Sequence, residues 1–186
     1  MSSLRPAVFL DRDGTLNVER DLVRTPQDLV LHVGTGEALR ALQDQGFALI
    51  VVTNQSARAR GQLSEQELNT IHARLSELLL ESGVTLDGIF HCPHHPTEGE
   101  PPLRADCECR KPAPGMFFEA ASQLGIDLKR SWMIGDDVRD IVAGGRAGVR
   151  SLLVQTGKGE RSSAQLPKTK LMPNLAAAAA HVIAEQ

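Results

Sequence analysis

Short apolar runs recur through this chain, separated by stretches of helical periodicity. Ala7–Leu10, Ala48–Val52, Ile89–Phe90, Trp132–Ile134 and Ser151–Val154 have the length and composition of strands buried on both faces. Between them, Glu37–Gln45 reads as a helix with Leu39 and Leu42 on one face and Gly46 as its stop. A longer helix is predicted from Ser64, which has capping-box spacing to Glu67. Its apolar stripe is Leu68, Ile71, Leu75, Leu78 and Leu79, and Gly83 ends it. Met116–Leu124, closed by Gly125, and Asn174–Glu185 are the remaining predicted helices, and Gly157–Lys170 reads as a surface loop. Strands alternating with helices predict βαβ units, hence an α/β fold: a Rossmann-like, three-layer parallel sheet covered on both faces. Crossovers in such sheets are right-handed, and ligands bind at the carboxyl ends of the strands. Functional residues are therefore expected just after each apolar run.

They are there. The first run leads directly into Asp11-Arg12-Asp13-Gly14-Thr15. Two carboxylates two positions apart share one side of an extended chain. They repel if buried together, so such a pair holds a cation or divides the roles of acid and base. An isolated D-x-D also occurs in plain solvated turns. The other runs argue against that reading here. The second leads into Thr53-Asn54, whose hydroxyl and amide can donate to an oxyanion. The fourth leads into Asp136-Asp137, with Asp140 following. Downstream of the third lies Lys111, a compact charge suited to phosphate. Acids for a cation and donors for an anion are thus sorted onto strand ends, as scattered turns would not be.

The chain's 186 residues, 41% of them hydrophobic, suit one domain spanning 1–186. A formal charge of -3 leaves no basic footprint, and 3% aromatic residues with no tyrosine give no stacking platform for nucleic acid. No apolar run reaches the roughly 20 residues needed to span a bilayer, and MSSLRPAVFLDRDG lacks the pattern of a signal peptide. The expectation is a cytoplasmic, monomeric protein that binds neither membrane nor nucleic acid.

All three cysteines lie between Cys92 and Cys109. An odd count and a reducing compartment disfavour disulfides. Cys92-Pro-His94 and Cys107-Glu-Cys109 form two short chelating pairs, and three thiolates with one imidazole suit tetrahedral Zn²⁺. Four protein ligands leave no open position, so this zinc would be structural. His91 and His95 are rival ligands; His94 is favoured because C-x-H mirrors C-x-C. The loop within 91–110 has little apolar content, and a metal clip would order it next to Arg110-Lys111.

D-R-D-G-T, T-N, K-P and G-D-D-V-R-D, in this order, resemble the motif set of the haloacid dehalogenase-like phosphatases. The zinc loop narrows the resemblance: C-P-H-H-P and C-x-C-R-K-P, with F-L-D-R-D-G-T and V-V-T-N-Q-S, are similar to the heptose bisphosphate phosphatases of that superfamily over roughly residues 7–157. The resemblance implies Asp11 as nucleophile, forming an aspartyl-phosphate, and Asp13 as acid and then base. It implies Mg²⁺ held by Asp11, the backbone carbonyl of Asp13, and Asp136, with Thr53 and Lys111 on the phosphoryl group. An acid at position 13 favours phosphoryl transfer over dehalogenation. Asn54, Gln55 and Ser56 would line the site and Arg110 would recognise a sugar bisphosphate. Glu19, Arg20, Asp21 and Leu22 form a polar segment placed to face substrate. Asp137 would support metal or substrate, and Asp140 would orient Lys111 or a loop. Neither the interval from Asp13 to Thr53 nor that from Thr53 to Lys111 holds a separate cap domain, and Arg58 and Arg60 are further candidates for a second phosphate. Such an enzyme would serve the making of nucleotide-activated heptose for surface glycans. Related histidinol-phosphate phosphatases share the nucleophile motif and a similar zinc loop, which makes histidinol phosphate the alternative substrate. A zinc-stabilised scaffold without catalysis is the remaining alternative, disfavoured by the intact Asp11, Asp13, Lys111 and Asp136.

Overall fold

In the computed structural model, which describes residues 4–186, one sheet organises the chain. Its strands are β1 (Ala7–Leu10), β2 (Ala48–Asn54), β3 (Gly88–Cys92), β4 (Trp132–Gly135), β5 (Arg150–Val154) and β6 (Leu171–Met172), all parallel, in the order β3-β2-β1-β4-β5-β6. The helices are α1 (Thr35–Asp44), α2 (Glu65–Leu80), α3 (Gly115–Leu124), α4 (Val138–Ala147), α5 (Gly159–Ser163) and α6 (Leu175–Ala184).

Every residue of β1 and β4 is buried, as a parallel sheet with both faces covered requires. Alternation sends Val8 and Leu10 to one core, with Leu39 of α1, Leu75 of α2 and Val182 of α6. Ala7 and Phe9 enter the opposite core, with Phe117 of α3 and Ala143 of α4. Phe9 and Phe117 meet with ring centroids 4.7 Å apart; truncating a fully buried phenylalanine of this kind costs about 3–5 kcal/mol. The capping box at Ser64 forms as its spacing predicts, Ser64 Oγ accepting from Glu67 N at 3.1 Å.

The chain runs from β1 outward to β3, then returns to β4 on the other side of β1. The crevice between the ends of β1 and β4 is therefore the topological switch point, where open α/β sheets bind ligands.

The structure departs from the sequence reading in two places. Val138–Ala147 is a helix, although Gly144 and Gly145 lower its intrinsic propensity. Gly157–Lys170 is more than a surface loop: it holds the short α5, and its first residues close against the end of β4. The two-residue β6 follows it.

Candidate active site and metal centres

Asp11 leaves β1 at the switch point, its amide donating to the carbonyl of Ile134 in β4 at 3.0 Å. Lys111 arrives from the far side of the sheet through the loop after β3, and its backbone is clamped in both directions by Asn54. Lys111 N donates to Asn54 Oδ1 and Asn54 Nδ2 donates to Lys111 O, each at 3.0 Å. Asn54 thereby positions Lys111. The ammonium of Lys111 lies 2.6 Å from Asp11 Oδ1 and 2.6 Å from Asp140 Oδ1, and donates to the Val52 carbonyl at 2.7 Å. Burial alone would lower this amine's proton affinity; Asp11 and Asp140 outweigh it and hold the amine charged.

Asp11, Asp136 and Asp140 bring carboxylate oxygens within 4.8 Å of one another. Three negative charges beside the single positive charge of Lys111 leave two in excess, the charge of a divalent cation. Burial, with the neighbouring carboxylates, pushes Asp136 up to about 8. Burial likewise pushes Asp11 up to about 7, against the pull of Lys111. These are anionic groups short of positive charge, and the donor set is the all-oxygen kind that suits Mg²⁺. Backbone holds Asp136 in place: Lys158 N donates to its Oδ2 at 2.7 Å.

Asp13 is a different carboxylate. It stands apart from the cluster and meets the buried Arg12, which donates to its Oδ2 at 2.8 Å and its Oδ1 at 3.0 Å. Asn17 and Gln55 donate to it as well, at 3.1 and 3.0 Å. Burial works to raise its pKa, but Arg12, Asn17 and Gln55 prevail and hold it below the usual carboxylate range. Gln55 also donates to Thr53 Oγ1 at 2.9 Å, which leaves the hydroxyl proton of Thr53 free for an anion.

These groups line one cavity of about 270 Å³. Asn54, Gln55, Ser56 and Arg110 also line it, as do Glu19, Arg20, Asp21, Leu22 and Asp137. Asp137 caps α4 and is held to about 2 by bonds from Arg139, which outweigh its burial. Arg58 is not in the lining; it turns to Glu65 and to the carbonyl of Leu63. Arg60 reaches the cavity but is paired with Glu98 at 2.8 Å. Arg110 donates to the His94 carbonyl at 3.0 Å and, among the described residues, has no carboxylate partner. Reasoning from sequence did not single out Arg12, Arg139 or Lys158, all of which line the cavity. The D-R-D and D-D-V-R-D strings contained the two arginines, but an arginine beside an acid is ordinarily a solvated pair.

On the other side of Arg110, Cys92, His94, Cys107 and Cys109 bring ligand atoms within 4.8 Å of one another. The separations are 3.5 Å for Cys92–Cys107, 3.3 Å for Cys107–Cys109, 3.7 Å for Cys92–His94 and 3.4 Å for Cys109–His94. A tetrahedron with Zn–S arms of about 2.3 Å has edges of about 3.7 Å, so the set fits zinc closely. The crowding of the thiols on one another, with burial, pushes Cys107 and Cys109 upward and resists ionisation until a cation enters. His95 is directed elsewhere: its Nδ1 accepts from the amides of Glu98 at 3.0 Å and Thr97 at 3.3 Å. His91 stacks edge-on against His72 and faces Glu65.

A parallel sheet carrying a carboxylate at the switch point, a second carboxylate two residues on, a buried lysine and two acids just beyond the neighbouring strand, Asp136 and Asp140, defines a phosphate-handling hydrolase of the haloacid dehalogenase class. Comparison with known proteins agrees. The HAD-hydrolase-like family model matches residues 108–178. The D-glycero-beta-D-manno-heptose-1,7-bisphosphate 7-phosphatase of Haemophilus ducreyi is 47% identical over 156 residues, 83% of this chain and 85% of that one. The Escherichia coli K12 protein of the same description is 43% identical over 159 residues, 85% of this chain and 83% of that one. Among solved structures, the D,D-heptose 1,7-bisphosphate phosphatase of B. bronchiseptica, complexed with magnesium and phosphate, superposes with a TM-score of 0.87 at 36% identity. That match covers 97% of this chain and 99% of that one. The chain belongs to the heptose-1,7-bisphosphate 7-phosphatase family of haloacid dehalogenase-like phosphatases and is a phosphoric monoester hydrolase.

Proposed function

We propose that residues 1–186 act as one catalytic domain that removes the 7-phosphate of D-glycero-D-manno-heptose 1,7-bisphosphate. The substrate is taken as the β anomer, which the relatives' descriptions name. The observation that carries this reading is the placement of Asp11 at the switch point, 2.6 Å from Lys111, with Asp13 and Thr53 lining the same cavity.

Asp11 attacks phosphorus and forms the aspartyl-phosphate, while Lys111 and the free proton of Thr53 bind the non-bridging oxygens. Asp11, Asp136 and the backbone carbonyl of Asp13 would hold Mg²⁺, whose positive charge would let a carboxylate approach a phosphate dianion. In the free enzyme Asp13 is ionised and clamped by Arg12. A docked phosphate adds negative charge beside it and raises its proton affinity, so Asp13 takes up the proton that it delivers to the leaving oxygen. It then returns to the basic form and draws a proton from the attacking water. Lys111 keeps Asp140 as a counter-ion throughout, so its charge does not depend on Asp11 remaining a free carboxylate.

Arg20 and Arg110 are the cavity-lining cations without a carboxylate partner among the described residues, and we assign them to the second phosphate. Cys92, His94, Cys107 and Cys109 would hold structural zinc, which would fix Arg110 through the adjacent Cys109. The reading includes a monomer working in the cytoplasm on a small-molecule sugar bisphosphate. Among the described residues, no helix is long and apolar enough to cross a membrane.

The test is phosphate release with Mg²⁺, comparing kcat/KM for both anomers of the heptose bisphosphate and for histidinol phosphate, with Asp11→Asn as control. Preference for the β-heptose substrate, abolished by Asp11→Asn, is expected. Preference for histidinol phosphate would overturn the substrate while leaving the mechanism. Release that survives in Asp11→Asn would overturn the mechanism.

A further inference from the structure

At the opposite end of β4 and β5 from the active site, the sheet edge forms a second notch of about 440 Å³. β6 pairs only with Leu153 and Val154, so the first half of β5 runs along the edge without a strand partner on that side. Arg150, Lys168 and Lys170 line this notch, and none of the three forms an ion pair among the described residues. No aspartate or glutamate lines it. In a chain of net charge -3, three unneutralised cations around one acid-free concavity are a local reversal of the surface.

Trp132, only 5% exposed, lies against this notch. Arg150 lies over the Trp132 ring with its guanidinium carbon 3.9 Å from the centroid, which holds that cation against the notch. Lys170 has one partner, His181 Nδ1 at 3.3 Å, and keeps its remaining protons. A charged acceptor relieves the repulsion among the cations.

We propose that this notch is a second anion site that takes the phosphoryl group of a small phosphorylated molecule, held by Arg150, Lys168 and Lys170. A phosphoryl group is the ligand chemistry that matches: acceptor-only, dianionic, and able to receive from a guanidinium and two ammoniums at once. The site is separate from the catalytic one. Trp132 begins β4 and Asp136 follows its end, about 13 Å further along the strand at the usual rise.

Trp132 is the chain's single tryptophan, so its fluorescence reports on this notch directly. The experiment titrates the full-length, zinc- and magnesium-replete protein with inorganic phosphate and with pyrophosphate at constant ionic strength. A saturable change in Trp132 emission is expected, with affinity weakened about tenfold or more in Lys168→Glu/Lys170→Glu. Both lysines are exposed, so the variant is expected to fold and to keep its phosphatase kcat. Thr53→Ala, which weakens phosphate binding in the catalytic cavity, is expected to leave the response intact. Tighter binding of pyrophosphate than of phosphate would identify the occupant as a diphosphate; equal binding would identify a monophosphate. No saturable response, or one that survives the double lysine variant, or one lost in Thr53→Ala, overturns the proposal.

Discussion

Gly14→Ala tests how Asp136 is held. Gly14 has φ of +85°, and a Cβ built on it would lie 2.3 Å from Asp136 Oδ2 and 3.1 Å from the Cα of Gly157. An L-residue at this φ costs about 1–2 kcal/mol by itself. To regain van der Waals contact, the carboxylate must also retreat by about 1 Å. Its retreat is opposed, because Oδ2 accepts from Lys158 N at 2.7 Å and Thr156 Oγ1 ties the same loop to the Gly14 carbonyl at 2.6 Å. Losing one charged hydrogen bond costs about 1.5–3 kcal/mol more, for a total of about 2.5–5 kcal/mol. With Asp136 in the proposed metal-holding role, a displacement of about 1 Å is expected to lower kcat/KM roughly 100-fold. Gly46→Ala is the matched control: φ is +84° and no atom lies within 4 Å of the added Cβ, so it should lose the conformational cost alone and keep full activity. Denaturant unfolding and phosphate release measure both quantities. If Gly14→Ala matched Gly46→Ala in stability and activity, the claim that this turn packs against Asp136 would be refuted.

Asp140→Asn removes one carboxylate from Lys111 and the charge that gives the site its excess of two; magnesium affinity is expected to fall roughly tenfold, read by the Mg²⁺ concentration for half-maximal rate. Its amide can no longer accept strongly from Asp137 N at the start of α4, so denaturation should also register a loss of about 1 kcal/mol or more. Cys107→Ala should lose zinc and at least about 2 kcal/mol of stability together, checked by metal analysis and thermal melting; full zinc occupancy would remove Cys107 from the ligand set. His72 is buried, and that burial, with Arg12 and His91 nearby, pushes it down to about 3. Its folded pKa lies below an unfolded value near 6.5, so its stabilising effect is complete above about pH 6.5 and is lost as pH falls toward 3. Unfolding free energy should therefore decline by up to about 1.4 kcal/mol per pH unit on this account, and His72→Gln should remove that slope in urea titrations between pH 6 and 4.

What could be read from the sequence divides along a physical line. Asp11, Asp13, Asp136 and Lys111 were legible because their chemistry depends on side-chain identity and because parallel sheets bring strand ends to one edge. The cysteines were legible for the same reason, since three thiols and an imidazole at chelating spacing are a donor set that suits a metal. The choice among His91, His94 and His95 was not settled by spacing: backbone amides of Thr97 and Glu98 turn His95 away, and a backbone amide exists at every residue. The grip on Asp136 was hidden in the same manner, because Lys158 makes it through its main-chain N–H. Arg12 was hidden for the opposite reason. Its side chain is long and charged, the type that ordinarily marks solvent, yet it is among the largest fully buried side chains here. A buried guanidinium needs a carboxylate to justify its desolvation, and Asp13 supplies two oxygens. The pair is then reciprocal: Asp13 keeps Arg12 inside the fold, and Arg12 holds Asp13 below the usual carboxylate range. Fold stability and the proton affinity of a cavity-lining carboxylate thus meet in two adjacent residues, only one of which looked functional on paper.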